Sequence, residues 1–186
     1  MIYTFLATGF EDIEALAPVD IMRRAGLQVE TVSITGERIV VSAHGVGVVA
    51  DRLLSEIDFQ DAELLFLPGG LPGATNLDAC EPLREGLRNH YEAGRLIAAI
   101  CAAPLVLGHL GLLDGCKATC YPGFETELGE ARYTAALVEQ DRQFLTGKGP
   151  GAAFALGYAI VECLVGANVS EQLREGMMYN FLIKNA

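Results

Sequence analysis

The sequence predicts an α/β fold: a mainly parallel central sheet with helices on both faces and a small hairpin beside it. Short apolar runs such as Leu64-Leu65-Phe66-Leu67 and Leu96-Ile97-Ala98-Ala99-Ile100 alternate with segments of helical spacing along the chain. These runs are apolar at every position, not every second one, as expected of strands buried on both faces. Glycine or proline bends close them, and no linker or internal repeat intervenes, so residues 1–186 read as a single domain.

Ile2–Ala7 forms the first strand, turned by Thr8-Gly9-Phe10. Glu11 and Asp12 open a helix, where the helix dipole favours acids. Ile13, Leu16, Ala17, Ile21 and Met22 continue it at helical spacing, Pro18 should kink or break it, and Gly26 stops it. Leu27–Ile34 is a second strand. Ile39–Ser42 and Gly45–Ala50 form a hairpin outside the main sheet. After the strand Leu64–Leu67, Pro68-Gly69-Gly70 lets backbone come close to a ligand. Ala74–Leu77 leads towards a helix over 82–93, ended by Gly94. The strand before Cys101 follows, then a helix from Ala103-Pro104 to Leu110, where proline suits the first turn. Lys117–Cys120 is a small strand closed by Tyr121-Pro122-Gly123. Leu137–Gln140 and Phe144–Thr146 pair around Asp141-Arg142. Gly147–Gly151 bends into a long apolar helix over 152–165, and Ser170 caps a last short helix ending near Met178.

Composition narrows the function. Just over half of the residues (51%) are apolar and 20% are charged, a globular profile. The net charge of −11 argues against nucleic acid and anionic membrane as partners. The absence of a bilayer-length apolar run or a visible signal peptide points to the cytoplasm. Five cysteines, an odd number in this context, are expected to be free thiols. Only three histidines are present, none closer to Cys116 and Cys120 than His109, which argues against a zinc site.

Ligands of parallel α/β sheets bind at the carboxyl ends of strands. Three bends converge there: Thr8–Glu11, Pro68–Gly70 and Ile100–Ala103. None is a phosphate-binding loop. Cys101 lies in the third, where a strand passes into a helix. That bend can expose a side chain, aim backbone N–H groups at it and favour a thiolate. Cys101 reads equally as one more small buried hydrophobe.

Four blocks go further. Gly9-Phe10-Glu11-Asp12-Ile13-Glu14 with Pro18-Val19-Asp20 and Arg23-Arg24-Ala25-Gly26, Leu67-Pro68-Gly69-Gly70 with Gly73-Ala74 and Asn76-Leu77, Ala98–Pro104, and Gly147–Gly151 resemble, in register, those of the ThiJ/PfpI superfamily. The branch they resemble more closely contains the parkinsonism-associated protein deglycase. The resemblance implies a flavodoxin-like three-layer sandwich and a homodimer; the first helix and its Met22 end are the expected contact. It implies that Cys101 is a reactive cysteine on a nucleophile elbow, that Glu14 projects onto its sulfur, and that the N–H groups of Gly70 and Ala102 face the same point. Gly69 lies in the same pocket. Two departures stand out. Where the family often has histidine before a proline, Tyr121 precedes Pro122, so the base role falls on Glu14. Where the protease-like branch has histidine after the cysteine, Ala102 stands. His44 falls where relatives carry a basic residue and, with Arg24, could hold an anion; it reads first as a plain hairpin residue.

Burial and a neighbouring thiolate both raise a carboxyl pKa, so Glu14 and Cys101 would titrate as a coupled pair. The implied activity is a glyoxalase or deglycase acting on small α-oxoaldehydes without a metal or other cofactor. Cys101 would be the nucleophile and Glu14 the acid/base. The alternative is an oxidative-stress sensor or chaperone working through a Cys101 sulfinate.

Overall fold

The computed structural model describes residues 1–185. In chain order it contains β1 (Ile2–Leu6), α1 (Asp12–Arg24), β2 (Val29–Ser33), β3 (Ile39–Val41), β4 (Gly47–Val49) and β5 (Arg52–Leu53). Two 3-10 turns, Leu54–Glu56 and Phe59–Asp61, lead to β6 (Leu64–Leu67), α2 (Gly73–Asp78), α3 (Glu81–Glu92), β7 (Leu96–Ile100) and α4 (Pro104–His109). Then come β8 (Lys117–Ala118), a 3-10 turn (Glu125–Leu128), β9 (Arg132–Tyr133), β10 (Val138–Asp141) and β11 (Phe144–Gly147). A further 3-10 turn, Pro150–Ala152, precedes α5 (Ala153–Val165), α6 (Ala167–Gly176) and α7 (Tyr179–Asn185).

The central sheet has seven strands in the order β10-β11-β7-β6-β1-β2-β5. All neighbours run parallel except the edge pair β10 and β11. The wholly apolar runs explain the middle: β6 is buried at each position, and β7 from its second residue on. One helical group packs α1 on α5 and α5 on α6, and a second joins α2 to α3 and α4. This is the expected α/β sandwich, with the hairpin β3–β4 as a separate two-stranded sheet. The chain leaves β1 for β2 on one side and later reaches β6 on the other. Strand order therefore reverses between β1 and β6, where the carboxyl ends open a crevice.

Several expectations are corrected. Pro18 neither breaks nor ends α1, which runs through it to Arg24. Its backbone sits against Gly157 of α5, where an added Cβ would stand 3.1 Å from the Pro18 Cα. The close crossing of α1 and α5 holds that turn. Ile13 and Leu16 lie on the exposed side of α1, whereas Met22 is fully buried, so the Met22 end is not a free contact surface. Ser170 caps nothing: α6 starts at Ala167 after Gly166, whose φ is +95°. The Ser170 hydroxyl instead donates to the Tyr158 carbonyl at 3.0 Å. The small strand at Lys117 covers two residues and pairs with β9 outside the main sheet. β5 and α7 were not anticipated.

Candidate active site

The elbow between β7 and α4 follows from its neighbours. Ile100 ends a fully buried strand, and Pro104 starts α4 three residues after Cys101. The chain must reverse within that space. Cys101 does so with a φ of +63°, a left-handed conformation that costs about 1–3 kcal/mol for a residue with a Cβ. Hydrogen bonds over-determine it: Cys101 N–H donates to Gly147 O at 2.9 Å, Tyr121 N–H to Cys101 O at 2.8 Å, and Ala103 N–H to Ile100 O at 3.0 Å. The side chain is left 8% exposed.

α1 brings the carboxyl. Glu11, at its N-cap, accepts the Glu14 N–H through Oε2 at 2.7 Å, and its own N–H donates to Gly69 O at 3.0 Å. These bonds lock the first turn of α1 onto the Pro68–Gly70 bend and turn Glu14 inwards, where it is fully buried. Glu14 Oε2 accepts the Gly69 N–H at 3.0 Å. The carboxyl lies beside the Cys101 thiol, and its Oε1 has no hydrogen-bond partner among the described residues. Gly69 is required here: a Cβ would fall 2.6 Å from Glu14 Oε2 and 2.7 Å from Cys101 Cβ.

Burial pushes the Glu14 carboxyl up to about 7, helped by the nearby Glu11 charge and opposed by the bonds from Cys101 and Gly69. Burial, then the neighbouring Glu14 carboxyl, push the Cys101 thiol up to about 12, while the nearby N–H groups of Gly70 and Ala102 pull the other way. With Glu14 ionised, the resting cysteine is therefore a thiol, contrary to the thiolate favoured by its position in sequence. The two N–H groups lie near the sulfur, and Glu14 is the ionisable group beside it.

Cys101, Glu14, Gly69, Gly70 and Ala102 thus come together. Tyr121, 45% exposed, joins them through its backbone, its ring near Gly149 beside a hollow of about 260 Å³. Within one chain Arg24 does not join: it lies in the last turn of α1, about 15 Å along the helix from Glu14, and pairs with Asp20 at 2.7 Å. His44 is held at 2.7 Å by Asp12, which raises its pKa. It stays at the exposed rim. Glu11, which the sequence marks only as an acid opening the first helix, is nearly buried and part of the site. Its position three residues before Glu14 was the available signal.

The DJ-1/PfpI family model matches residues 1–163. The chain belongs to the DJ-1/PfpI family. It is 42% identical over 163 residues to protein DJ-1 homolog B of Arabidopsis thaliana, covering 87% of this chain but 37% of that protein. The chain thus spans well under half the length of that plant relative. It is 36% identical to the Parkinson disease protein 7 homolog of Danio rerio, covering 91% and 92% of the two chains. A Caenorhabditis elegans family member named glutathione-independent glyoxalase DJR-1.2 is 34% identical, covering 88% and 87%. In structure, the oxidized DJ-1 of Toxoplasma gondii superposes with a TM-score of 0.91 at 32% identity, covering 95% and 97%.

Proposed function

We propose that this chain, a single ThiJ/PfpI-like domain over residues 1–186, is a cysteine-dependent glyoxalase or deglycase acting on methylglyoxal, glyoxal or their adducts. The observation that carries this reading is the buried Glu14 carboxyl, with a pKa near 7, against the Cys101 thiol. As the sulfur adds to the aldehyde carbon, Glu14 takes the thiol proton and returns it to the new oxyanion, giving a hemithioacetal. Glu14 then moves the C–H proton to the neighbouring carbon through an enediolate, leaving a 2-hydroxyacyl thioester on Cys101. Water cleaves it to the hydroxy acid and restores the thiol. The aldehyde carbon is oxidised and the keto carbon reduced, so the electrons balance within the substrate. The N–H groups of Gly70 and Ala102, which lie beside the sulfur, are candidates to hold the oxyanion. The C. elegans relative's name supports the substrate class.

A second reading is an oxidative-stress sensor or chaperone. A protonated Glu14 could donate to a Cys101 sulfinate, and the T. gondii relative is described in an oxidized form. Either role is proposed for a cytoplasmic homodimer; no helix among the described residues is long and apolar enough to cross a membrane. Turnover of an oxoaldehyde panel by the wild type and Cys101→Ser tests the enzymatic reading. Hydroxy-acid formation that depends on Cys101 supports it, and consumption unaffected by Cys101→Ser overturns it.

A further inference from the structure

A second cleft lies at the other end of β7. Cys101 follows the carboxyl end of that strand, whereas Arg95 precedes its amino end, roughly 20 Å away at six strand steps. The cleft, of about 500 Å³, runs between α3 and the 3-10 turn Phe59–Asp61. His90, Arg95, Asp58, Glu85 and Phe59 line it.

His90 is 3% exposed, yet it is not a fully satisfied core histidine. Its Nε2 bonds the Leu96 carbonyl at 3.0 Å, which places the ring hydrogen on that nitrogen and leaves Nδ1 as an acceptor. Nδ1 has no hydrogen-bond partner among the described residues and is not among the fully enclosed unpartnered polar atoms, and His90 lines the cleft. Burial and the Arg95 charge depress the imidazole pKa to about 4, so the ring is neutral near pH 7 and waits for a donor.

Arg95 is half-spent. Its Nη1 donates to the carbonyls of Gln60 at 2.6 Å and Ala62 at 3.0 Å, with a longer contact to Phe59 O at 3.5 Å, fixing the turn. Nε and Nη2 make no hydrogen bond among the described residues. Glu85 likewise has no partner among them, and Asp58 has one oxygen committed, to the Gln60 N–H at 2.9 Å. One cleft thus offers unused guanidinium donors, two carboxylates and a neutral buried acceptor, with the Phe59 ring as an apolar wall. A lone cation would meet Arg95, and a lone anion would meet Asp58 and Glu85. A molecule carrying both charges meets complementary groups at each end.

We propose that this cleft binds a small zwitterion of the α-amino-acid class, with its ammonium between Glu85 and His90 Nδ1, its carboxylate on Arg95 and its side chain against Phe59.

The probe is L-leucine, with isopentylamine and 4-methylpentanoate as its two half-charged counterparts, titrated into the full chain at neutral pH. The readout is the imidazole ¹⁵N shift of His90. L-leucine is expected to move the Nδ1 resonance saturably and to leave the Nε2 bond to Leu96 in place. Each half-charged probe should bind roughly tenfold more weakly or not at all, and Glu85→Gln, at an exposed helical position, should weaken L-leucine by roughly fivefold, the worth of one ion pair. An unmoved His90 overturns the proposal. Isopentylamine or 4-methylpentanoate binding as tightly as L-leucine, or Glu85→Gln binding unchanged, also overturns it.

Discussion

The Glu14 carboxyl lies against Cys101 across the bare α-carbon of Gly69. A methyl group there would stand 2.6 Å from Glu14 Oε2 and 2.7 Å from Cys101 Cβ. Acid and thiol thus meet through the one residue type that leaves room for both, and the Gly69 N–H holds the acid in place at 3.0 Å.

Gly69→Ala is expected to force the pair apart. The Ile100 carbonyl, 2.8 Å from the same point, leaves no retreat on the backbone side. Activity towards methylglyoxal should fall by roughly a hundredfold, as for other ångström-scale misplacements of reacting groups. Stability should fall by about 1–3 kcal/mol for overpacking. Enzymatic assay and urea denaturation check both.

Glu14→Gln keeps the size of the side chain and can still accept the Gly69 N–H through its amide oxygen. It cannot shuttle a proton. Lactate formation from methylglyoxal should drop by roughly 10²–10⁴-fold, the usual worth of a positioned acid/base. Unchanged lactate formation would remove Glu14 from the reaction.

In the proposed mechanism the ionised carboxylate of Glu14 accepts the thiol proton. Its pKa is raised to about 7, so kcat/KM should rise with pH through about 7. The protonated form below that pH is the inactive one. Glu14→Gln should lose this limb, and a flat wild-type profile from pH 5.5 to 8.5 would contradict the assignment.

The thiols should separate by reagent. Cys163 is exposed and Cys80 half-buried, whereas Cys116 and Cys120 are sealed. Iodoacetamide should label Cys163 first, because α5 leaves it exposed. Mild peroxide should give sulfinate first at Cys101, where the Gly70 and Ala102 N–H groups can hold the anion. Peptide mass spectrometry distinguishes the two patterns, and sulfinate appearing first at Cys163 would count against a tuned Cys101.

Ile13 and Leu16 of α1, together with Ile39, Val41 and Val49 of the hairpin, are large exposed apolar residues. Light scattering at micromolar concentration should give a dimer mass, and Ile13→Glu with Leu16→Glu should give a monomer mass. A wild-type monomer would rule the homodimer out.

Much of the sheet was legible in the chain because buried parallel strands carry their signal in every residue, as Leu64–Leu67 and Leu96–Ile100 do. The elbow was legible because Pro104 marks where a helix can start. Elements whose cause lies elsewhere were not. β5 has two residues and no period; it exists because Val32 and Ser33 offer it an edge. The survival of α1 through Pro18 depends on Gly157, far along the chain. Glu11 resembles any acid of a first helical turn until Gly69 O comes within reach of its N–H. Arg24 belongs to a motif, but a helix of thirteen residues carries it away from the thiol in its own chain.

The burial of Glu14 also sets a pH slope on the fold itself. In the unfolded chain this carboxyl titrates near its ordinary value of 4.5, and in the folded chain near 7. Between those values the native state binds more protons than the unfolded one. The stabilisation that Glu14 contributes as a neutral acid is complete below about pH 4.5 and is lost as the pH rises through about 7. Folding at pH 6 therefore takes up part of a proton from solution, and ionising the group proposed to drive the chemistry weakens the native state. Reactivity and robustness pull in opposite directions along the same titration.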